Sequence, residues 1–184
     1  MQNFGLNLNY VHTPGILYTV AILVICGGMS PLTFLALPLW FRRRHISLAS
    51  FLALATTALL LLLGTVAYLT LEWNGIFAQL APFDKLHNAF FLSAVGRTAG
   101  FNAVDVSTLS PLSTLMTLVF MLIGGCPGGT AGGMKTVTVA IMFLAFWSDL
   151  NQEKEVVCRR RLVPHDVVRR TITILVAFML TLTA

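Results

Sequence analysis

Residues 124–135 read GGCPGGTAGGMK and lie in the middle of the longest apolar segment of the chain, Ser110 to Trp147. A continuous helix over that segment would be about 57 Å long, nearly twice the hydrocarbon thickness of a membrane. Glycine and proline are the poorest helix formers, so the helix is predicted to break at this tract. The segment is therefore expected to form two shorter apolar helices joined by a glycine-rich loop.

The composition of the whole chain is that of a membrane protein. Of its 184 residues, 57% are hydrophobic and 10% are charged, whereas soluble domains are about 25% charged. A disordered chain and a disulfide-rich secreted domain are both excluded. The cysteines are odd in number and lack metal-ligand spacing, and the histidines lack nucleophile spacing, so neither a zinc site nor an enzyme is predicted. These residues are Cys26, Cys126, Cys158, His12, His45, His87 and His165.

Two more uncharged runs precede the broken segment. Gly15 to Phe41 contains 27 uncharged residues and is interrupted by the glycine pair Gly27-Gly28. Ile46 to Leu71 is also uncharged and is rich in leucine and alanine. Each run exceeds the roughly 20 residues that cross the hydrocarbon core, so both are predicted membrane spans.

Asp84 to Val95 predicts a short helix that Asp84 can cap, because Leu86, Ala89, Phe90 and Ser93 or Ala94 follow a period of 3.6 residues. At about 1.5 Å per residue the helix is only some 18 Å long, half of a bilayer. It is therefore predicted not to cross.

The basic residues decide the topology. They collect in two connectors, Arg42 to His45 and Lys154 to Arg170, and both should be cytoplasmic by the positive-inside rule. An even number of crossings must separate them, so the short helix has to enter and leave from the outer side. The predicted fold is an all-α integral membrane protein with an M-P-M unit: helix, re-entrant pore helix with a filter loop, and broken helix. The net charge of +5 is explained by topology, and no nucleic-acid partner is predicted.

Gly96 to Asn102 follows the short helix at membrane depth, where non-helical backbone is tolerated only if protein covers it or it lines water. Carbonyl oxygens of such a loop can replace the hydration shell of a potassium ion. A plain re-entrant hairpin with a capping glycine explains the residues equally well. Arg97 is expected to hold the loop, with Asp105 as its partner, rather than to touch ions.

The glycine tract fails the phosphate-loop pattern because Met134 separates Gly133 from Lys135. Its GxxxG spacings allow a helix-packing face, but the glycine density favours a local unwinding. Lys135 is a charge at membrane depth that either faces a cavity or extends its ammonium toward an interface, and the residues alone do not decide between these.

The runs NAFFLSAVGRTAGFNAVDVSTLSP and GGCPGGTAGGMKT resemble the pore-forming subunit of the Trk/Ktr/HKT superfamily of potassium transporters. The resemblance extends over essentially the whole chain, and Cys126 and Met134 stand where serine and isoleucine are expected. It implies four M-P-M repeats around one pore, with this chain carrying the third. The backbone carbonyls of Thr98, Ala99, Gly100 and Phe101 would then coordinate potassium, the substrate. The gate in the second helix of the repeat would be Gly124, Gly125, Cys126, Pro127, Gly128, Gly129, Thr130, Ala131, Gly132, Gly133, Met134 and Lys135.

The resemblance also implies how the chain is divided. Residues 1–41 correspond to the end of the preceding repeat, 46–147 to a complete M-P-M repeat, 148–170 to a cytoplasmic connector and 171–184 to the start of the next repeat. The chain is interpreted as a fragment, because one filter strand cannot surround an ion.

The expected protein is a multi-pass component of the cytoplasmic membrane that binds no cofactor. Its expected partners are a second copy of the pore subunit and a cytoplasmic nucleotide-binding regulatory subunit. A non-conducting truncated scaffold and a sodium-preferring transporter of the same superfamily are the alternatives.

Overall fold

The computed structural model of the chain describes residues 11–31, 33–35, 38, 47–97, 99–101, 103–104, 106–152, 157–158, 161–163 and 165–183. Over these residues the helices are α1 (Pro14–Gly28), α2 (Leu48–Leu71), α3 (Pro82–Val95), α4 (Pro111–Leu122), α5 (Thr136–Leu150) and α6 (His165–Thr183), with a 3-10 turn at Val106–Thr108. The helical fold class is confirmed. An antiparallel pair of two-residue strands, β1 (Val157–Cys158) and β2 (Arg161–Leu162), lies in the connector and was not predicted.

Helix α2 is the centre of the arrangement. Among the described residues it is the one helix that is long and apolar enough to cross a membrane alone, and α1, α4 and α5 are shorter apolar helices. The Ser47 hydroxyl caps its start by accepting a hydrogen bond from the Ser50 N–H at 3.1 Å. Helices α3, α4 and α5 all pack against it.

Helix α3 runs from one end of α2 to its middle. Near its start, the Lys85 ammonium donates a hydrogen bond to the Trp73 carbonyl, 2.8 Å away, just beyond the end of α2. Near its C-terminal end, the Ser93 hydroxyl donates to the carbonyl of Leu61, 2.9 Å away, in the middle of α2. Gly64 permits this approach, because a Cβ atom there would collide with the Ser93 hydroxyl.

After α3 the chain returns to the end from which α3 started. The Ser110 N–H, at the start of α4, donates to the Glu72 carboxylate at the end of α2, 2.9 Å away. The chain thus enters and leaves at the same end of α2, the Glu72 end, which is what a re-entrant helix requires. At about 21 Å, the 14 residues of α3 are too short to cross.

The predicted start of α3 was wrong. Asp84 does not cap the helix, because α3 begins two residues earlier, with Ala81 as the N-cap and Pro82 in the first turn. Proline favours this position because its fixed φ suits the first turn of a helix. The Asp84 carboxylate instead lies 2.8 Å from Nδ1 of His12. Of the residues that follow the helical period, Ala89 is fully buried and Leu86 is 44% exposed.

The opposite end of α2, the Leu48 end, contacts the connector. Leu52 of α2, Ile141 of α5 and Val163 of the connector form one buried cluster. The connector therefore packs at the end of α2 that directly follows the run Arg42 to His45, as expected if both basic connectors lie on one side of the membrane. Helix α6 begins at His165, before the expected boundary at residue 171. The expected boundary marked the start of an apolar run, and the first turns of the helix contain polar residues that this criterion leaves out.

Glu72 organises the turn where three segments meet. Its side chain is 1% exposed and accepts hydrogen bonds from the N–H groups of Ile76 at 3.2 Å and Ser110 at 2.9 Å. Burial raises the pKa of this carboxyl, but the bonds from Ser113, Ser110 and Ile76 together outweigh burial and hold the pKa below its ordinary value. A group with a lowered pKa stabilises the fold at neutral pH, and that contribution is lost as the pH falls through the lowered pKa.

Replacing Glu72→Gln in the full-length protein should lower the free energy of unfolding by about 2 kcal/mol at pH 7, because one acceptor oxygen becomes an NH₂ that faces an N–H donor. The deficit should shrink at an acidic pH below the lowered pKa of Glu72, where the native carboxyl also becomes protonated. Thermal unfolding of the detergent-solubilised protein at both pH values measures this. Asp149→Asn, at an exposed carboxylate, is the matched control. An equal deficit for Glu72→Gln at both pH values would contradict the assignment.

Candidate functional site

Two helices end beside one cavity, and the loop that follows a third helix also borders it. Helix α1 ends at Gly28, α3 at Val95 and α4 at Leu122. The cavity has a volume of about 420 Å³, and its lining includes Gly28, Ala94, Arg97, Ala99, Gly125 and Thr130. The C-terminus of a helix carries the negative end of its dipole, so the ends of α1 and α3 contribute negative potential to this space.

The predicted filter residues follow α3 directly. Ala99 and Phe101 line the cavity, and the Ala99 N–H donates to the Val95 carbonyl, 3.1 Å away, in the last turn of α3. Gly100 has φ +77°, and no atom lies within 4 Å of a Cβ built on it. The backbone angle rather than crowding therefore requires glycine here. Thr98 lies outside the described residues, and coordination by these four carbonyls stays a prediction.

Arg97 lies between α3 and the predicted filter. Its side chain is 8% exposed and lines the cavity, near the thiol of Cys126. Its Nε is buried and has no hydrogen-bond partner in the part of the chain that the structure describes. Asp105, the predicted partner, lies outside that part, so the pairing stays a prediction.

The helix break predicted in the glycine tract is confirmed. Helix α4 ends at Leu122 and α5 begins at Thr136. The two edges of the intervening loop are joined, because the Gly124 N–H donates to the Met134 carbonyl and the Met134 N–H to the Leu122 carbonyl, both at 2.8 Å. Gly133, with φ +72°, makes the return possible.

The glycines of the tract pack closely, although not as a helix face. The GxxxG helix-packing alternative was wrong because residues 123–135 are not helical. Cβ atoms at Gly125 and Gly129 would nevertheless collide with the carbonyl oxygen of Gly28 at the end of α1. The Cys126 N–H donates to that same oxygen, 2.9 Å away. The predicted gate thus packs against the end of α1.

Lys135 turns back onto the tract. Its ammonium donates to the Ala131 carbonyl, 2.9 Å away, and the side chain is half-buried. Ala131 lines the cavity, so the charge is held at the cavity margin. The described residues include no ion pair for Lys135.

Polar groups that anchor α3 were missed in the sequence. Lys85 is buried with its ammonium 4.4 Å from the centre of the Trp73 ring. Asn88 is fully buried, and its NH₂ donates to the Val11 carbonyl at 3.0 Å and the Asp84 carbonyl at 2.8 Å. Lys85 and Asn88 are three residues apart and therefore share one face of the helix, which was the available signal.

The sequence matches a family of known proteins over nearly its whole length. The TrkH family, described as cation transport protein, matches residues 10–184. The Ktr system potassium uptake protein B of Vibrio alginolyticus is 35% identical over 175 residues, which are 92% of this chain and 38% of that protein. The potassium/sodium uptake protein NtpJ of Enterococcus hirae is 36% identical over 130 residues, 70% of this chain and 29% of that protein.

A solved structure shows the same fold. The crystal structure of the potassium transporter TrkH from Vibrio parahaemolyticus superposes with a TM-score of 0.73 and 18% identity, covering 92% of this chain and 37% of that chain. The chain therefore spans between 29% and 38% of the length of these three proteins.

Proposed function

The chain belongs to the TrkH family of cation transport proteins, and we propose that the protein it forms part of takes up potassium ions across the cytoplasmic membrane. The ion would pass a filter that includes the carbonyls of residues 98–101 and then a gate formed by residues 124–135. Transport of this kind breaks no bond and needs no cofactor. Potassium is the substrate.

The observation that carries this proposal is the cavity beside the ends of α1 and α3. Phe101 from the predicted filter and Thr130 from the predicted gate line the same space. An ion leaving the filter would therefore meet the gate without crossing a packed layer. The C-termini of α1 and α3 lower the cost of holding a cation in this space.

Sodium is the second candidate ion, because the relative from Enterococcus hirae is named a potassium/sodium uptake protein. A filter selects by the arrangement of carbonyls around a closed ring. This chain would supply one strand of that ring. Its own residues do not rank potassium over sodium.

Replacing Gly100→Ser in the full-length protein should reduce potassium uptake or its preference over sodium. A residue with a side chain at φ +77° costs about 1 kcal/mol and tends to turn the neighbouring carbonyls. Uptake of potassium and of sodium into a transport-deficient strain measures both effects.

Gly15→Ser is the matched control, because Gly15 also has nothing within 4 Å of a built Cβ but lies at the start of α1. Unchanged selectivity and rate in well-expressed Gly100→Ser protein would remove Gly100 from the filter.

Deleting Cys126 to Gly132 from the full-length protein should raise the rate of uptake and leave the preference for potassium intact. The deletion shortens the loop beneath the predicted filter and removes the Ala131 carbonyl that holds the Lys135 ammonium. Initial uptake rates and potassium-to-sodium ratios test this. Lower uptake in protein that still inserts and assembles would mean that the tract is a packing element and not a gate.

The connector supports a proposal about partners. In a potassium uptake system of the Ktr or Trk type, the cytoplasmic face of a homodimeric pore subunit would meet a nucleotide-binding regulatory subunit. The connector contains the run Arg159 to Arg161, of which Arg161 lies in β2 at the Leu48 end. Cationic residues at an interface speed and orient association with an acidic partner.

Charge reversal of Arg159 to Arg161 to glutamate should weaken co-purification of the regulatory subunit at physiological salt, and replacement by lysine should preserve it. Membrane insertion has to be verified first, because these charges also set topology. Retention of the regulatory subunit by the correctly inserted glutamate variant would exclude this surface as the contact.

A further inference from the structure

The last carbonyls of α1 accept hydrogen bonds from a segment about 100 residues later in the sequence, Thr130 being 103 residues from Gly27. The last carbonyls of a helix have no partner within the helix. The Gly27 carbonyl accepts from both the N–H of Thr130, at 3.3 Å, and its hydroxyl, at 2.9 Å, and the Gly28 carbonyl accepts from the Cys126 N–H at 2.9 Å. Both carbonyls are therefore satisfied by the glycine tract.

The glycine tract and the end of α1 pack so closely that two of the glycines could not carry a side chain. A Cβ at Gly125 would lie 2.6 Å from the Gly28 carbonyl oxygen, and one at Gly129 would lie closer still. Gly128, with φ +83°, turns the loop beside Ser30, whose Cβ would be 3.4 Å from a Cβ built on Gly128. The tract is shaped to dock on the end of α1.

Among the bonds just described, the Thr130 hydroxyl is the one donor that belongs to a side chain. We propose that Thr130 is a positioning residue that latches the gate to the Gly27 carbonyl of α1, and that this contact must separate for ions to pass. The inference rests on the proposed function and names the element on which the gate docks: the end of the helix that precedes the repeat.

Separation is feasible because the contact borders the cavity. Gly27, Gly28 and Thr130 all line it, so water that accompanies the ion can hydrate the released carbonyls. In a dry site those carbonyls would be too costly to expose. The latch is thus strong enough to define a position and weak enough to be broken reversibly.

Thr130→Val in the full-length protein should raise the maximal uptake rate about fivefold, the effect of one hydrogen bond, with unchanged half-saturating potassium concentration and unchanged potassium-to-sodium ratio. Thr130→Ser, which keeps the hydroxyl, should behave as the native protein. Thr114→Val is the control, because the Thr114 hydroxyl also donates to a backbone carbonyl, that of Ser110 at 3.0 Å, but lies in α4. A native rate for Thr130→Val, or the same rise for Thr130→Ser, overturns the latch.

A cross-link tests the separation itself. A Cβ at Gly27 lies 3.8 Å from the Thr130 hydroxyl oxygen, close enough for a disulfide in the double variant Gly27→Cys, Thr130→Cys. In a background with Cys26→Ala, Cys126→Ser and Cys158→Ser, oxidation should abolish uptake and reduction should restore it, and each single-cysteine variant should be insensitive to oxidant.

The outcomes separate this inference from the function on which it rests. Full uptake by protein shown by mass spectrometry to be cross-linked means that the gate does not leave α1, and the latch is wrong even if the Cys126 to Gly132 deletion raises the rate. If that deletion lowers the rate, the gate itself fails, and the latch fails with it. A cross-link that blocks uptake, together with a faster Thr130→Val, supports both.

Discussion

Backbone polar groups at membrane depth must find partners within the protein, and the rest of this fold depends on that constraint. A helix that crosses completely satisfies it unaided, and α2 is long and apolar enough to do so. Helices α1, α3 and α4 are shorter, so each leaves carbonyls that need donors. In α4 the Met134 N–H reaches the Leu122 carbonyl, in α3 the Ala99 N–H reaches Val95, and in α1 the tract supplies the donors. The ends of α1 and α3 border the cavity, and the tract borders it as well while supplying donors to the ends of α1 and α4.

The elements set by length, composition and charge could be predicted from the sequence. The central span, the short helix and the break in residues 124–135 follow from hydrophobic thickness and helix propensity. The common side of the two basic connectors stays a prediction of the positive-inside rule. Contacts between distant segments could not be predicted. The sequence shows Glu72 as a charge that ends a span, but not that it accepts bonds from Ile76 and Ser110. Likewise, nothing near Thr130 in sequence indicates Gly27.

The glycines illustrate the same limit at the candidate site. Gly100 and Gly133 are required by their positive φ angles, whereas Gly64, Gly125 and Gly129 are required because another atom occupies the space of a side chain. Composition cannot distinguish these two demands, and a glycine-rich tract therefore predicts a break without predicting what packs against it. The resemblance to a family predicted which residues form a filter and a gate. That Phe101 and Thr130, one from each predicted set, line a common cavity became evident only in three dimensions.

The hydrogen bonds at the Glu72 end of α2 are stronger than those between the glycine tract and α1. This difference determines which part of the fold can move. At the Glu72 end the contacts involve ionised side chains: the Glu72 carboxylate accepts from two N–H groups, and the Lys85 ammonium donates to Trp73. Hydrogen bonds to charged groups are about twice as strong as neutral ones. The contacts between the tract and α1 are all neutral, and they border a cavity that water can enter. A motion that opens the proposed pathway would therefore break the contacts of the tract and leave α3, with the predicted filter that follows it, fixed to α2.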